Sequence, residues 1–346
     1  MKYNHLGKTD IKVREICLGT MTFGRQNTEA DGHAQLDMAL DRGVNFIDTA
    51  EMYPVPRDPN LYGRTEEIVG SWLAKSGNRN RVVLASKVSG PRMVPEIRDG
   101  AVRLDRKNIE AALDASLKRL QADCIDLYQV HWPDRPANFF GTLGFEAVKD
   151  GPDVVPIEET LDVLTDLVTA GKVRHIGVSN ETSWGVMRYL ELARRDGKAR
   201  IETIQNPYSL LNRSFEVGLS EISLREGVSL LPYSPLGFGA LCGKYLQGAK
   251  PENSRVTLFP DFNRYVKPEA VKATEKYVAL ARSHGLLPGH LALAYVRTRL
   301  FVASTIIGAT TLDQLAENLD SVNVDLDEAL LKEIEAIHRE HTYPSP

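Results

Sequence analysis

The chain has 346 residues, 42% hydrophobic and 25% charged, with a formal net charge of -4. That balance is ordinary for a soluble globular protein and gives no electrostatic reason to expect a nucleic acid or an acidic membrane as partner. Three scattered cysteines (Cys17, Cys124 and Cys242) lack metal-ligand spacing and predict reduced thiols; with no signal-like segment and no long apolar run, the default compartment is the cytoplasm.

Residues 3–13 come first, two short extended arms around a Gly-Lys-Thr-Asp turn, and predict a hairpin plugging the bottom of the fold. Eight short apolar runs follow: EICLGT (15–20), VNFIDT (44–49), VVLASK (82–87), IDLYQVH (125–131), VRHIGVSN (173–180), IETIQN (201–206), VSLLPYS (228–234) and VASTIIG (302–308). Between them, Ile109, Ala112, Leu113, Ser116, Leu117 and Leu120 keep helical spacing, as do Ile157, Leu161, Leu164 and Val168. Val186, Tyr189, Leu190 and Ala193 mark another helix, and Phe215, Leu219 and Ile222 the next. A last barrel helix is expected at about 311–320, and Leu326, Leu330, Ile334 and Ile337 predict one more packed outside. Strands buried on both faces and alternating with helices imply a parallel sheet, and eight such units favour closure into a (β/α)8 TIM barrel. No Pro- or Gly-rich linker divides the chain, so one domain spans 1–346, with long loops at about 132–155 and 236–265.

In such a barrel the chemistry gathers where the strands end. The second run ends on Asp48, the third on Lys87 and the fourth on His131, and Tyr53 follows Asp48 by five residues. Each alone has a bland reading: an architectural ion pair, a turn histidine before Trp-Pro, a loop tyrosine. Four together at successive strand ends read as a site, because perturbed titratable groups cluster there. A phenol is a poor acid at neutral pH, and a lysine ammonium beside it is expected to pull its pKa down. Asp48 would keep Lys87 charged, and His131 would hold a carbonyl for the phenol's proton. No Ser or Cys nucleophile accompanies them, so the missing partner is a hydride donor.

The other strand ends offer room for one. Asn180 and Gln205 carry amides suited to a carboxamide, and Tyr233 an aromatic face for a planar ring. The small-residue loop SPLGFGALCGKY (234–245) lets backbone approach phosphates, and IIGATTLDQLAENL (306–319) places a glycine turn at a helix N-terminus, an anion site. In the loop after His131, Trp132, Phe139 and Phe140 suggest an apolar substrate pocket; the competing reading is that they pack the insert down.

The motifs LGTMTFG (18–24), FIDTAEMY (46–53), YGRTEEIVG (62–70), VHWPD (130–134), GKVRHIGVSN (171–180), YSPLGFGAL (233–241) and GATTLDQLAENL (308–319), in this order, resemble those of the aldo-keto reductase superfamily from about residue 3 to 340. The long insert and the closing AIHREHTYPSP are most similar to its Tas-type branch, related to potassium-channel β-subunits. The resemblance implies that Asp48, Tyr53, Lys87 and His131 form the catalytic tetrad of an NAD(P)H-dependent carbonyl reductase acting on a small-molecule substrate. It further implies coenzyme contacts at Thr20, Met21, Gln26, Asp48, Ser179, Asn180, Gln205 and Tyr233, then along Ser234, Pro235, Leu236, Gly237, Leu241, Gly243, Lys244 and Arg255. The adenosine end would fall on Gly308, Thr310, Gln314, Glu317 and Asn318. NADP(H) is expected ahead of NAD(H), although many relatives carry Lys and Arg where Gly308 and Gln314 stand. Two rival readings remain open at this point: an NADP(H)-binding regulatory subunit with a vestigial reductase site, and an aldolase using Lys87 as a Schiff base.

Overall fold

A computed structural model describes residues 1–146 and 149–346. Its first element is the expected hairpin, β1 (Tyr3–His5) and β2 (Lys12–Arg14), paired antiparallel with Tyr3 opposite Arg14. Among the described residues, eight parallel strands follow: β3 (Ile16–Gly19), β4 (Phe46–Asp48), β5 (Val83–Val88), β6 (Ile125–Val130), β7 (Val173–Ser179), β8 (Ile201–Gln205), β9 (Ser229–Leu230) and β10 (Thr305–Ile307). Seven lie inside the apolar runs, and β5 overruns its run (82–87) by one residue, Val88. Strand β10 pairs with β3, and the rest pair in chain order. Backbone bonds from Leu230 N to Phe301 O, Ala303 N to Leu230 O and Ile306 N to Pro232 O join the last two strands, so the sheet closes into a barrel.

Every residue of β5 and β6 is buried, which is why these strands read as unbroken apolar runs rather than alternating ones. The hairpin caps the floor, where Leu6, Ile11 and Val13 pack against Cys17, Phe46, Leu127 and Ile306. Around the barrel lie α1 (Glu29–Asp41), α2 (Arg64–Ser76), α3 (Arg106–Leu120), α4 (Ile157–Thr169), α5 (Ser183–Asp196), α6 (Leu219–Glu226), the short α7 (Arg255–Leu258), α8 (Pro268–Ser283), α9 (Pro288–Arg297), α10 (Leu312–Asp320) and α11 (Glu328–Glu340). The single helix expected over Phe215 to Ile222 is two pieces, a 3-10 turn at Ser214–Val217 and then α6. Gly218, with an extended φ of -159°, separates them.

Two long connections lie on the face where the strands end. The one after β6 runs to α4, and the one after β9 holds only short helical turns before α8. A separate apolar cluster also forms on that face: Ala50, Met52, Tyr53, Val94, Ile97, Val102 and Trp132. No helix among the described residues is long and apolar enough to cross a membrane.

Candidate active site

Asp48 is the last residue of β4, and Lys87 the penultimate residue of β5. Lys87 is fully buried, and its ammonium donates to Asp48 Oδ2 at 2.6 Å, to Thr49 O at 2.8 Å and to Tyr53 Oη at 3.3 Å. Three donors meet three acceptors, so the group is saturated and fixed. Burial opposes its charge, but Asp48 and Tyr53 more than offset that and hold the lysine above its usual pKa. Tyr53 is 7% exposed, in a turn closed by Tyr53 N to Ala50 O and by Gly63 N to Tyr53 O. The expected net fall in the phenol's pKa is not observed. Burial raises it, and the Lys87 ammonium pulls it back only in part. Desolvation of a would-be phenolate outweighs one nearby cation.

His131 follows β6 directly, tied by its backbone N–H to Val88 O. Its ring lies 5.7 Å from that of Tyr53, nearly edge-on. Burial first, then the Lys87 charge, push its pKa far below the usual histidine value, so the imidazole is neutral at physiological pH. A neutral ring can donate one hydrogen bond to a carbonyl oxygen without bringing a second charge beside Lys87. Asp48, Tyr53, Lys87 and His131 therefore converge.

The amides expected to face a coenzyme are engaged within the chain. Asn180 Nδ2 donates to His131 O at 2.9 Å, and Asn180 Oδ1 accepts from the Tyr233 hydroxyl at 2.7 Å. Gln205 Nε2 donates to Asp48 Oδ1 at 2.8 Å, and the Ser179 hydroxyl to Gln205 O at 2.7 Å. Thr20 is buried and donates to Asp48 O, while Met21 packs on the cluster around Tyr53. The half-buried Tyr233 is thus linked through Asn180 to the backbone of His131.

Beyond it, Ser234, Gly237, Phe238, Gly239 and Gly243 all have positive φ, from 54° to 87°, and the loop winds through tight turns closed by Gly237 N to Ser234 O, Gly239 N to Leu236 O and Gly243 N to Ala240 O. Pro235, Leu236 and Leu241 lie within this loop, Leu241 buried in the main core. Lys244 folds over it: a methyl group on Gly239 would lie 2.3 Å from Lys244 Cε and 2.6 Å from Nζ. The Arg255 guanidinium is 5.0 Å from the Phe238 ring. Burial lowers the Arg255 pKa, and only tyrosines, no carboxylate, work against that. A strap from Gln26 Nε2 to Asn253 O, 3.4 Å long, crosses to the same loop.

At the start of α10, Gln314 Oε1 accepts from both Thr310 N and Thr310 Oγ1 at 3.1 Å, so the chain itself partly satisfies this helix start. Asn318 Nδ2 reaches Gly308 O at 3.4 Å, and Glu317 is exposed. Trp132 is 1% exposed, anchored by its indole N–H to Pro91 O at 3.0 Å, and packs behind His131 rather than lining open space. Phe139 and Phe140 continue outward from it, edge to face at 5.0 Å, with Phe140 38% exposed.

Two residues at this site escaped the sequence reading. Gln129, fully buried on β6, approaches Asp48 Oδ1 at 3.4 Å and Gln205 at 3.5 Å. It lies two residues before His131, hence on the same inward face, and a glutamine inside an apolar run was the available signal. Glu51, 1% exposed, accepts from Ser89 N and from Arg98; only its position between Asp48 and Tyr53 hinted at it. No group of three or more His, Cys, Asp or Glu side chains placed to hold a metal ion occurs among the described residues.

Comparison with known proteins agrees with the geometry. Residues 15–339 match the model of the aldo/keto reductase family. The chain is 56% identical to Protein tas of Escherichia coli K12 over the whole of both chains. It is 32% identical to the oxidoreductase YrpG of Bacillus subtilis, over 100% of this chain and 97% of that one. Against the aldo-keto reductase Yakc [NADP(+)] of Schizosaccharomyces pombe, identity is 31% over 92% and 85%. With eight parallel strands closed into a barrel, and a lysine, tyrosine, aspartate and histidine drawn together at its mouth, the chain belongs to the aldo/keto reductase family and is an NAD(P)H-dependent oxidoreductase.

Proposed function

We propose that this chain, as a single barrel domain in the cytoplasm, reduces small aldehydes and ketones to alcohols with NADPH, and that Tyr53 supplies the proton. The observation that carries this is the saturated Lys87 ammonium touching Asp48 and Tyr53. When bound, the coenzyme supplies the hydride that the protein itself lacks. The residues fit such a group: Lys244 and Arg255 are cations without a carboxylate in salt-bridge range among the described residues, beside a backbone belt that a single added methyl would block. Half-buried cations of that kind are well placed to pair with an anion, as a pyrophosphate or 2′-phosphate would provide. Tyr233 would lie against the nicotinamide, with Ser179, Asn180 and the unused Gln205 Oε1 near its carboxamide. Thr20, Met21, Gln26 and the α10 start with Gly308, Thr310, Gln314, Glu317 and Asn318 complete the reading. The family relation and the NADP(+) in the name of the fission-yeast relative support the choice of coenzyme.

On the substrate side, neutral His131 donates a hydrogen bond to the carbonyl oxygen and orients it toward Tyr53. As charge develops on that oxygen the phenol gives up its proton, and Lys87 steadies the phenolate left behind. Phe139 and Phe140, backed by the buried Trp132, favour aryl or medium aliphatic carbonyls. The test is NADPH oxidation with 4-nitrobenzaldehyde, in wild type and Tyr53→Phe. Turnover that falls about 100- to 10,000-fold in the variant, with coenzyme binding intact, is the expected result. Tight NADPH binding without turnover of any carbonyl in wild type would favour a regulatory subunit instead.

A further inference from the structure

We propose that Glu51 is a positioning residue: together with Arg98 it fixes the turn carrying Tyr53 against the strand end carrying Lys87, and so sets the phenol-to-ammonium contact. The inference rests on Tyr53 and Lys87 acting as the proton-donating pair.

Glu51 clamps β5 at two points, one on either side of Val88. Its backbone N–H donates to Lys87 O at 3.2 Å, and its carboxylate Oε1 accepts from Ser89 N at 2.7 Å. Residue 51 is thereby locked to residues 87 and 89. Tyr53 is two residues further along the same tight turn, whose only other backbone link to β5 nearby is Thr49 N to Ala85 O. The 3.3 Å between Lys87 Nζ and Tyr53 Oη is therefore set by how firmly the two strand exits are held in register.

Arg98 braces the clamp from outside. It forms a fork on Glu51, with Nη1 to Oε2 at 2.7 Å and Nη2 to Oε1 at 3.1 Å, and its Nε donates to Asn108 Oδ1 at 2.9 Å on α3. A bidentate guanidinium fixes the carboxylate plane as well as its charge. The segment bearing Arg98 is held in an uncommon conformation, with φ of 47° at Arg98, 54° at Asp99 and 74° at Gly100. Non-glycine residues persist there only when surrounding contacts over-determine them. The same segment lays Val94, Ile97 and Val102 on Met52, Tyr53 and Trp132, and Arg57 to Glu96, 3.6 Å apart, joins it to the chain just past Tyr53. Tyr128, Glu66 and Arg119 face the pair from the sheet and from α2 and α3.

A purely architectural ion pair would look similar, and breaking one strands a buried charge. The two roles differ in what they do to Tyr53. Glu51 is not among the charges that act most on the phenol, which are Lys87, Asp48 and Arg255. Removing it therefore alters Tyr53 through geometry.

The experiment places 3-fluorotyrosine at position 53 and follows its ionisation by 19F NMR, alongside kcat, KM and NADPH affinity, in wild type, Glu51→Ala, Glu51→Gln and the double variant Glu51→Gln/Arg98→Met. Glu51→Ala is expected to move the ionisation to higher pH and to cut kcat about 10- to 100-fold, the scale of a reacting group displaced by about 1 Å, with NADPH affinity within about threefold. Glu51→Gln keeps an acceptor for Ser89 N and is expected to hold the wild-type ionisation, as is the double variant, which leaves neither charge stranded. Should Glu51→Ala fail to fold, Glu51→Asp, whose shorter arm cannot span Ser89 N and Arg98 together, is expected to show the same shift. A Tyr53 ionisation unmoved in the folded variant, with only thermal stability lost, overturns the proposal. The NMR reading needs no turnover: absence of carbonyl reduction in wild type would sink the proposed function alone.

Discussion

At the scale of single residues, the site shows how burial and charge compete for one proton. Tyr53 would be a hopeless acid if burial acted alone, since desolvation disfavours the phenolate formed by giving the proton up. Lys87 opposes that, and Asp48 keeps Lys87 charged against its own burial. The sign of the pH dependence follows. Reduction needs the protonated phenol, so activity is present below the Tyr53 pKa and lost as pH rises through it; with that pKa above the ordinary 10.0, the rate should be flat through neutrality and decline only in strong alkali. Lys87→Met removes the principal downward influence, so the alkaline limb should move to still higher pH, while kcat at neutral pH falls by about two to four orders of magnitude. A limb that stays where wild type has it would break the coupling between lysine and phenol. The four residue types and their strand-end positions were legible in the sequence because strands announce their ends. The net direction of the phenol's pKa was not, because it depends on how much water Met52, Val94, Ile97 and Trp132 exclude, and no spacing rule carries that.

At the scale of elements, the barrel was legible for a definite reason: strands buried on both faces leave continuous apolar runs, and all eight strands coincide with runs visible in the chain, β5 passing its run by one residue. Three features were not legible. Gly218 splits the helix expected over Phe215 to Ile222, the 3-10 turns between β9 and α8 follow from left-handed residues rather than periodicity, and the segment before α3 is held by Arg98 and Glu51 across 47 positions of sequence. Close helix packing left a clearer mark. On α2, Gly70 faces α3 so closely that an added Cβ would lie 2.1 Å from Arg119 O and 2.8 Å from Leu120 C, both backbone atoms. Neither can rotate away, and Arg119 also holds the buried Glu66 at 2.8 Å. Gly70→Ala should therefore push the two helices apart at a cost of about 1–3 kcal/mol, despite alanine's better helix propensity. Thermal denaturation reads this as a Tm lower by several degrees, about 2–4 °C per kcal/mol in a large domain. An unchanged or raised Tm would mean that the helices approach less closely than this.

At the scale of the whole molecule, a chain of net charge -4 gathers unmatched positive charge where a dinucleotide would lie. Lys244 and Arg255 stand over the belt of positive-φ residues, and the N-terminus of α10 adds its dipole beyond them. On the proposed reading, NADPH gains over NADH only what its 2′-phosphate finds at that far end. There Gln314 already bonds Thr310 N and Oγ1, so the phosphate must displace a neutral side chain to reach the backbone, and the exposed Glu317 nearby repels it. Preference for NADPH should consequently be present but shallow. Gln314→Arg exchanges a neutral amide that competes for the site for a guanidinium that pairs with the phosphate. A charge-assisted bond exceeds a neutral one by about 1 kcal/mol or somewhat more, which is on the order of tenfold in affinity. Both coenzymes titrated by quenching of protein fluorescence would give the ratio directly. NADPH binding tightened about tenfold by Gln314→Arg, with NADH unchanged, is the expected result. Equal tightening of both would move Gln314 to the pyrophosphate, and tighter binding of NADH than of NADPH by wild type would remove the 2′-phosphate from α10 altogether.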